Sequence, residues 1–256
     1  VMPRARLVRH AYARLAREAA GFVCGSNHFA GRVVEIGMPE DRIDIVPCGV
    51  STEAFAPAAD RTGTRVVAVG RLTAKKAPLE AIRAFGHAHS ACPELTLDML
   101  GGGPLMENCA RLVSELGLEA AVTLHGPQPH EAVRAMLAHG DIFIQHSVVA
   151  PNGDTESQGI SLIEAMASAL PVVATDHNGF AETVVEAETG YLVPERDVTA
   201  MGERIVRLAR DPGLRQRLGS AGRRRATDLF DAAVVTRRMR AVLHRHAPDA
   251  GLGGQS

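Results

Sequence analysis

Short apolar runs rich in β-branched residues recur along the chain at intervals that a helix can fill. They stand at "GFVCGS", "RIDIVPCGV", "TRVVAVG", "LTLDMLG", "AVTLHG", "DIFIQHS", "LPVVAT" and "GYLVPE". Between most of them lie stretches of helical periodicity, such as "APLEAIRAFGHAHSA" and "PLMENCARLVSELGL". A strand wetted on one face alternates apolar and polar side chains, whereas these runs are nearly continuous, so helices must cover both faces. The pattern predicts an α/β fold built on a doubly wound parallel sheet.

The same pattern divides the chain. Periodicity fails over residues 47–63, "PCGVSTEAFAPAADRTG", where Pro, Gly and polar residues predict a linker. Residues 49–230 hold the main domain, with its sheet beginning near Arg65. Residues 1–48 offer two strands and two helices, the first marked by Leu7, Ala11, Leu15 and Ala19 at helical spacing. That is too little for a core of its own. From Asp211 the pattern is helix only, with a last helix over 231–246, and the closing "PDAGLGGQS" (residues 247–256) predicts disorder. The chain starts at Val1 rather than Met, which suggests a longer protein. No internal repeat is visible.

Composition narrows the function classes. A chain of 256 residues with 46% hydrophobic content suits one large domain or two small ones with a proper core. A formal net charge of −1 gives no overall attraction to nucleic acid. The average hides an asymmetry, because Met201 to His246 carries twelve arginines against four acids. This stretch is either a solvated face of the terminal helices or a basic patch for a membrane surface or an anionic partner. Cys24, Cys48, Cys92 and Cys109 form no C-x-x-C pair and sit in apolar or helical contexts, which predicts buried, reduced thiols in a cytoplasmic protein. No apolar run reaches the ~18 residues that span a bilayer, and the Arg-rich opening lacks a signal core.

Ligands of doubly wound sheets bind outside the carboxyl ends of the strands, so the loops there are the places to seek chemistry. After "TRVVAVG" comes "RLTAKKAP", with Gly70, Arg71, Lys75 and Lys76 just before a helix. Cations at a helix start oppose its dipole, so either a shared anion such as a diphosphate explains them or they are plain surface charges. After "LTLDML" comes "GGGPLMEN", whose Gly101, Gly102 and Gly103 permit a tight turn or close approach to a ligand. It is not the dinucleotide fingerprint, whose third glycine would fall at Met106.

After "DIFIQHS" comes "VVAPNGDTESQG" and a helix expected from about Gln158 to Ser168. Glu156 then stands at the helix start, and Glu164 stands inside the helix among Leu162, Ile163, Ala165 and Met166. A carboxylate in such company needs a partner if buried. Were every step between them helical, the two acids would lie ~12 Å apart along the axis. That is beyond the ~5 to 9.5 Å of hydrolytic carboxylate pairs. The spacing suits two grips on a long ligand: a sugar at Glu156, phosphates at the helix start with Arg71 and Lys76, and a ribose at Glu164.

The stretch E-x7-E running into "EAMASALPVVAT", with "VGRLTAKKAP" and "GGGPL" upstream and "ETGYLVPERD" downstream, resembles the C-terminal donor domain of retaining GT-B glycosyltransferases of family 4, the "glycosyl transferases group 1" domain. The resemblance spans roughly Gly21 to Phe230 and is specific as a combination. "IFIQHSVVAPNGDTE" further resembles the subgroup that builds exopolysaccharides such as colanic acid. It implies that the fold is the C-terminal half of a GT-B fold, with residues 1–48 the end of an acceptor domain and residues 231–246 returning toward that domain.

For function, the resemblance implies retaining transfer of a hexosyl group from a UDP-, GDP- or ADP-linked sugar to a glycan or lipid-linked acceptor. Glu156 would bind sugar hydroxyls and Glu164 the ribose diol. Arg71 and Lys76 would neutralise the diphosphate, and the backbone at Gly70, Gly102, Gly103, Ser157, Gln158, Gly159 and Ile160 would line the donor. No cofactor and no metal are implied, and no Asp-x-Asp occurs. The alternative is a non-catalytic nucleotide-sugar-binding module or inactive fragment. Self-association through a face left by the missing domain, and peripheral membrane contact, are further implied partners. Three residues depart from the family pattern: Ser157, Ala77 and Ala169 stand where glycine is usual. A left-handed conformation at Ala169 would cost about 1 kcal/mol.

Overall fold

A computed structural model describes residues 12, 14–59, 61 and 63–246. The expected disordered tail and the first two positions of the opening helical pattern, Leu7 and Ala11, lie outside these residues; residues 14–18 are helical (α1).

All eight apolar runs form strands. β1 (Phe22–Cys24) and β2 (Ile43–Ile45) pair in parallel across α2 (Asn27–Glu35). The other six are β3 (Arg65–Val69), β4 (Thr96–Leu100), β5 (Val122–Gly126), β6 (Ile142–Gln145), β7 (Val172–Thr175) and β8 (Gly190–Val193). They make one parallel sheet in the order β5-β4-β3-β6-β7-β8. The connecting helices are α3 (Pro78–Ala91), α4 (Met106–Glu115), α5 (His130–His139), α6 (Ile160–Ala167), α7 (Phe180–Thr183) and α8 (Val198–Arg210). α9 (Pro212–Phe230) and α10 (Ala232–His246) follow. One core lies on each face of the sheet. Ile82, Phe85, Ile144 and Ile205 are buried on one side, and Phe143, Leu162, Met166 and Phe180 on the other. β6 and β7 are buried at every position, which is why their sequences do not alternate.

The chain winds outward from β3 in one direction and then returns beside it at β6. The topological switch point therefore lies between β3 and β6, where a crevice opens at the strand ends.

The expected linker is a docked segment. Val50 and Phe55 are buried, and the backbone of Val50 exchanges hydrogen bonds with Phe230 and Ala232 at 2.9 Å each. Thr52 Oγ1 donates to Asp231 at 2.6 Å beside that bridge. α10 returns to β2, where His246 Nε2 lies 2.7 Å from Asp44. Cys24, Cys92 and Cys109 are buried as expected, but Cys48, on this crossing segment, is exposed.

Ala77 (φ 38°) and Ala169 (φ 55°) are both left-handed, where a Cβ is disfavoured. Ser157 needs no positive φ and is accommodated without strain.

Candidate functional site

The loop after β3 is folded against the glycine triplet. Leu72 N–H donates to Gly102 O at 2.9 Å, and Leu105 N–H to Leu72 O at 3.1 Å. Gly101 (φ +141°) lies so close that a Cβ there would stand 1.9 Å from Gly70 O. The triplet's close approach is thus to the neighbouring loop. That packing holds Gly70 and Arg71 at the mouth of the crevice, whose lining also includes Lys76, Gln145 and His146.

The loop after β6 meets this one across the switch point. Val148 N–H donates to Lys75 O at 2.9 Å, and Lys75 Nζ lies 3.1 Å from Asp154. Lys75 is therefore committed within the protein. Lys76 Nζ stands 2.7 Å from Glu156 Oε2, and both side chains are mostly buried. Burial draws the Lys76 ammonium below its ordinary pKa, and Glu156 opposes that fall without cancelling it. Burial also works against ionisation of Glu156, yet the charge and hydrogen bond of Lys76 outweigh it and hold the carboxyl below its usual range. Lys76 is a cation with less compensation than its burial demands. Arg71 is exposed and has no partner among the described residues. Both are placed to take a further anion.

The helix start differs from the sequence expectation. α6 begins at Ile160, so only four of the eight steps between Glu156 and Glu164 are helical, and the all-helical spacing does not hold. The residue before it, Gly159, is left-handed (φ +72°), and a Cβ there would come within 2.8 Å of Leu162 and 2.9 Å of Phe180. No side chain caps this N-terminus, so its first N–H groups face the crevice end of the sheet. Ile160 is exposed, while Gln158 is buried and accepts the Cys48 N–H at 2.7 Å, tying the helix start to the crossing segment. Glu164 is mostly buried one turn into α6, 3.9 Å from His130 Nε2. Burial pushes its pKa up, with His130 opposing. A buried carboxylate this poorly paired gives the fold little; it is a poised hydrogen-bond acceptor.

Several residues around Glu156 escape sequence reasoning. His177 Nε2 accepts the Glu156 N–H at 3.1 Å and lies 2.8 Å from Thr155 Oγ1; its Nδ1 faces Glu195 at 2.5 Å. Asn178, left-handed at φ 49°, donates to Glu156 O. For His177 and Asn178 the one sequence signal is position, in the loop after β7 at the carboxyl edge of the sheet. Thr73 Oγ1, His146 Nδ1 and Gln158 Nε2 are three of the four buried polar side-chain atoms without a partner among the described residues. All three sit on the loops around the switch point, and of the three residues His146 also lines the crevice. Among the described residues no cluster of three or more His, Cys, Asp or Glu side chains is arranged to hold a metal ion.

Comparison with known proteins agrees with this geometry. The family model "Glycosyl transferases group 1" matches residues 51–225. The chain is 35% identical over 183 residues to a provisionally named colanic acid biosynthesis glycosyltransferase, WcaL, of Escherichia coli K12, covering 70% of this chain and 45% of that protein. It is 32% identical over 234 residues to a GDP-mannose-dependent alpha-(1-6)-phosphatidylinositol monomannoside mannosyltransferase of Mycolicibacterium smegmatis, covering 87% and 61%. In these pairings the chain spans about half the length of its curated relatives. Among solved structures, HepE of Anabaena in complex with UDP and glucose superposes with a TM-score of 0.81 at 19% identity, over 92% of this chain and 66% of that one. The match over most of the sheet and both of its site loops makes the chain a member of the group 1 glycosyl transferases, with the donor-side fold of the GT-B class.

Proposed function

We propose that this chain supplies the donor site of a retaining glycosyltransferase that moves a hexosyl group from a nucleotide-diphosphate sugar to a glycan or lipid-linked acceptor in polysaccharide or glycoconjugate assembly. The observation that carries the reading is the Lys76–Glu156 pair beside the uncapped start of α6, at the switch point of the sheet, with Glu164 one turn inside the same helix. Lys76, Arg71 and the helix N–H groups take the diphosphate and, as the glycosidic bond breaks, meet the charge that develops on it. These groups do so in place of a metal ion. Glu164 accepts the ribose hydroxyls, and Glu156 accepts hydroxyls of the sugar. Retention is read from the family resemblance. The names of the relatives support exopolysaccharide or phosphoinositide-linked acceptors and UDP- or GDP-linked donors. The reading places the protein in the cytoplasm, at the inner face of a membrane when the acceptor is lipid-linked. No helix among the described residues is long and apolar enough to cross a membrane.

Calorimetric titration of two variants tests the assignment. Glu164→Gln should weaken free nucleoside diphosphate and nucleotide sugar alike, whereas Glu156→Gln should weaken only ligands that bear a sugar. Identical profiles for the two variants would refute the two-ended grip.

A further inference from the structure

We propose that His177, held by Glu195, is the positioning residue that fixes Glu156 for sugar recognition; this rests on the donor-site reading above. Glu156 lies in the loop of fourteen residues, His146 to Gly159, between β6 and α6, four positions before the helix, so neither strand nor helix geometry sets its direction. What sets its backbone is a lock between the loops after β6 and β7, to which Asn178 adds a bond to Glu156 O. The His177 side chain is wholly buried. Its Nε2 accepts the N–H of Glu156 itself at 3.1 Å, so that nitrogen carries a lone pair and the ring proton sits on Nδ1. Nδ1 in turn donates to Glu195 Oε1 at 2.5 Å. Glu195 also accepts the Val149 N–H at 3.1 Å, which ties the loop after β8 to the beginning of the same site loop. The imidazole therefore has one allowed tautomer, chosen by Glu195 and read by the backbone of Glu156.

The lock restrains one end of the Lys76–Glu156 pair and leaves the other free. Lys76 reaches Glu156 from the loop after β3, which His177 does not touch. Removing His177 should therefore disturb the carboxylate that faces the sugar and spare the diphosphate grip. A residue that only supported the fold would weaken both.

The test compares the whole chain with His177→Phe, His177→Asn and Glu195→Gln, titrated with UDP against UDP-glucose and GDP against GDP-mannose. The expected result is a loss of about tenfold in affinity for the nucleotide sugar with the matching nucleoside diphosphate unchanged, largest for His177→Phe. Glu195→Gln, which leaves the buried ring in place, covers the case in which His177→Phe does not fold. Imidazole nitrogen NMR should show protonated Nδ1 and unprotonated Nε2 in the parent chain at neutral pH. Equal loss for both ligand types, no loss for either, or an Nε2–H ring would overturn the proposal. Glu156→Gln in parallel separates the two failures. If it loses sugar selectivity and the His177 and Glu195 variants do not, positioning alone falls. If Glu156→Gln keeps that selectivity, the donor-site reading itself falls.

Discussion

Lys76 and Glu164 are both ionisable side chains whose burial exceeds their pairing. Lys76 is drawn below its ordinary pKa by burial that Glu156 does not offset, so a second anion would relieve a cost already present in the folded chain. An anion raises the pKa of Lys76, so binding is strongest while the lysine is protonated and weakens as pH rises through its lowered value. Preference for nucleoside diphosphate over monophosphate should therefore fade earlier on the alkaline side than an ordinary lysine would dictate. At neutral pH the double change Arg71→Ala with Lys76→Ala should remove that preference, worth about 1.5 to 3 kcal/mol for a charge-assisted hydrogen bond. Calorimetry with the two nucleotides checks it, and equal loss for both would speak against a diphosphate subsite. Glu164 carries the opposite sign. Its carboxyl holds a proton more tightly folded than unfolded, so its ionised form costs stability above the unfolded pKa. Glu164→Gln removes that cost. Without ligand its thermal midpoint should rise at neutral pH, while its nucleotide affinity falls; a lower midpoint would mean that Glu164 serves the fold.

Helix ends decide what the arginine-rich half of the chain is for. Arg61 donates to Ala138 O at 3.0 Å and to Ala169 O at 3.1 Å, so one guanidinium serves the C-terminal ends of both α5 and α6. Arg223 donates to Phe55 O and Ala167 O, Arg225 to Thr183 O, Arg215 to Leu208 O and Arg210 to Ala91 O. Arg204 and Arg207 lie 4.7 and 5.5 Å from the Tyr191 ring centroid, and Arg245 pairs with Asp44. Seven of the twelve arginines between Met201 and His246 thus have internal partners, which leaves fewer guanidinium groups free for an anionic surface than the sequence count suggests. Arg61→Met should cost about 2 to 3 kcal/mol in urea denaturation. Arg61→Lys should rescue little of it, because an ammonium cannot fork between two helix ends. Exposed Arg217→Ala should be near neutral. The strands were legible because two-sided burial writes continuous apolar runs, and the meeting of the Lys76 and Glu156 loops was legible because both follow strands at the carboxyl edge of the sheet. The start of α6 was not, because "ESQG" suits a first helical turn as well as the left-handed entry at Gly159. Nor was the burial of Phe55, or the lock from His177 to Glu156, which spans 21 positions and depends on β7 lying beside β6. Contacts of that kind leave no local pattern.

At the scale of the whole molecule, the residues before the sheet domain are tied to it and still carry exposed apolar side chains. The segment of residues 14–50 is fastened to the rest of the chain by Gln158 to Cys48, Glu182 to the first N–H groups of α2, Val50 to the α9–α10 junction, and α10 to Asp44. Yet Leu15, Val23, Phe29 and Val34 on that segment, and Leu243 on α10, each expose more than a third of their surface. Large apolar side chains gathered on one part of a chain mark a contact surface, so this chain alone should self-associate through it. Glycosyl transfer demands more than a donor grip: an acceptor hydroxyl must sit about 3 to 3.5 Å from the reacting carbon, and that placement supplies much of the rate. The chain spans about half the length of its curated relatives, and on the proposed reading the loops described above would hold the donor alone. The 256-residue chain is therefore expected to bind nucleoside diphosphate and to give no measurable transfer by itself. Light scattering over a dilution series, repeated with Phe29→Ser and Leu243→Ser, tests the first half; the double variant should shift the population toward monomer. Radiolabelled-donor assays with a broad acceptor mixture test the second. Sustained turnover by a monomer would overturn the argument and require an acceptor site within this sheet domain.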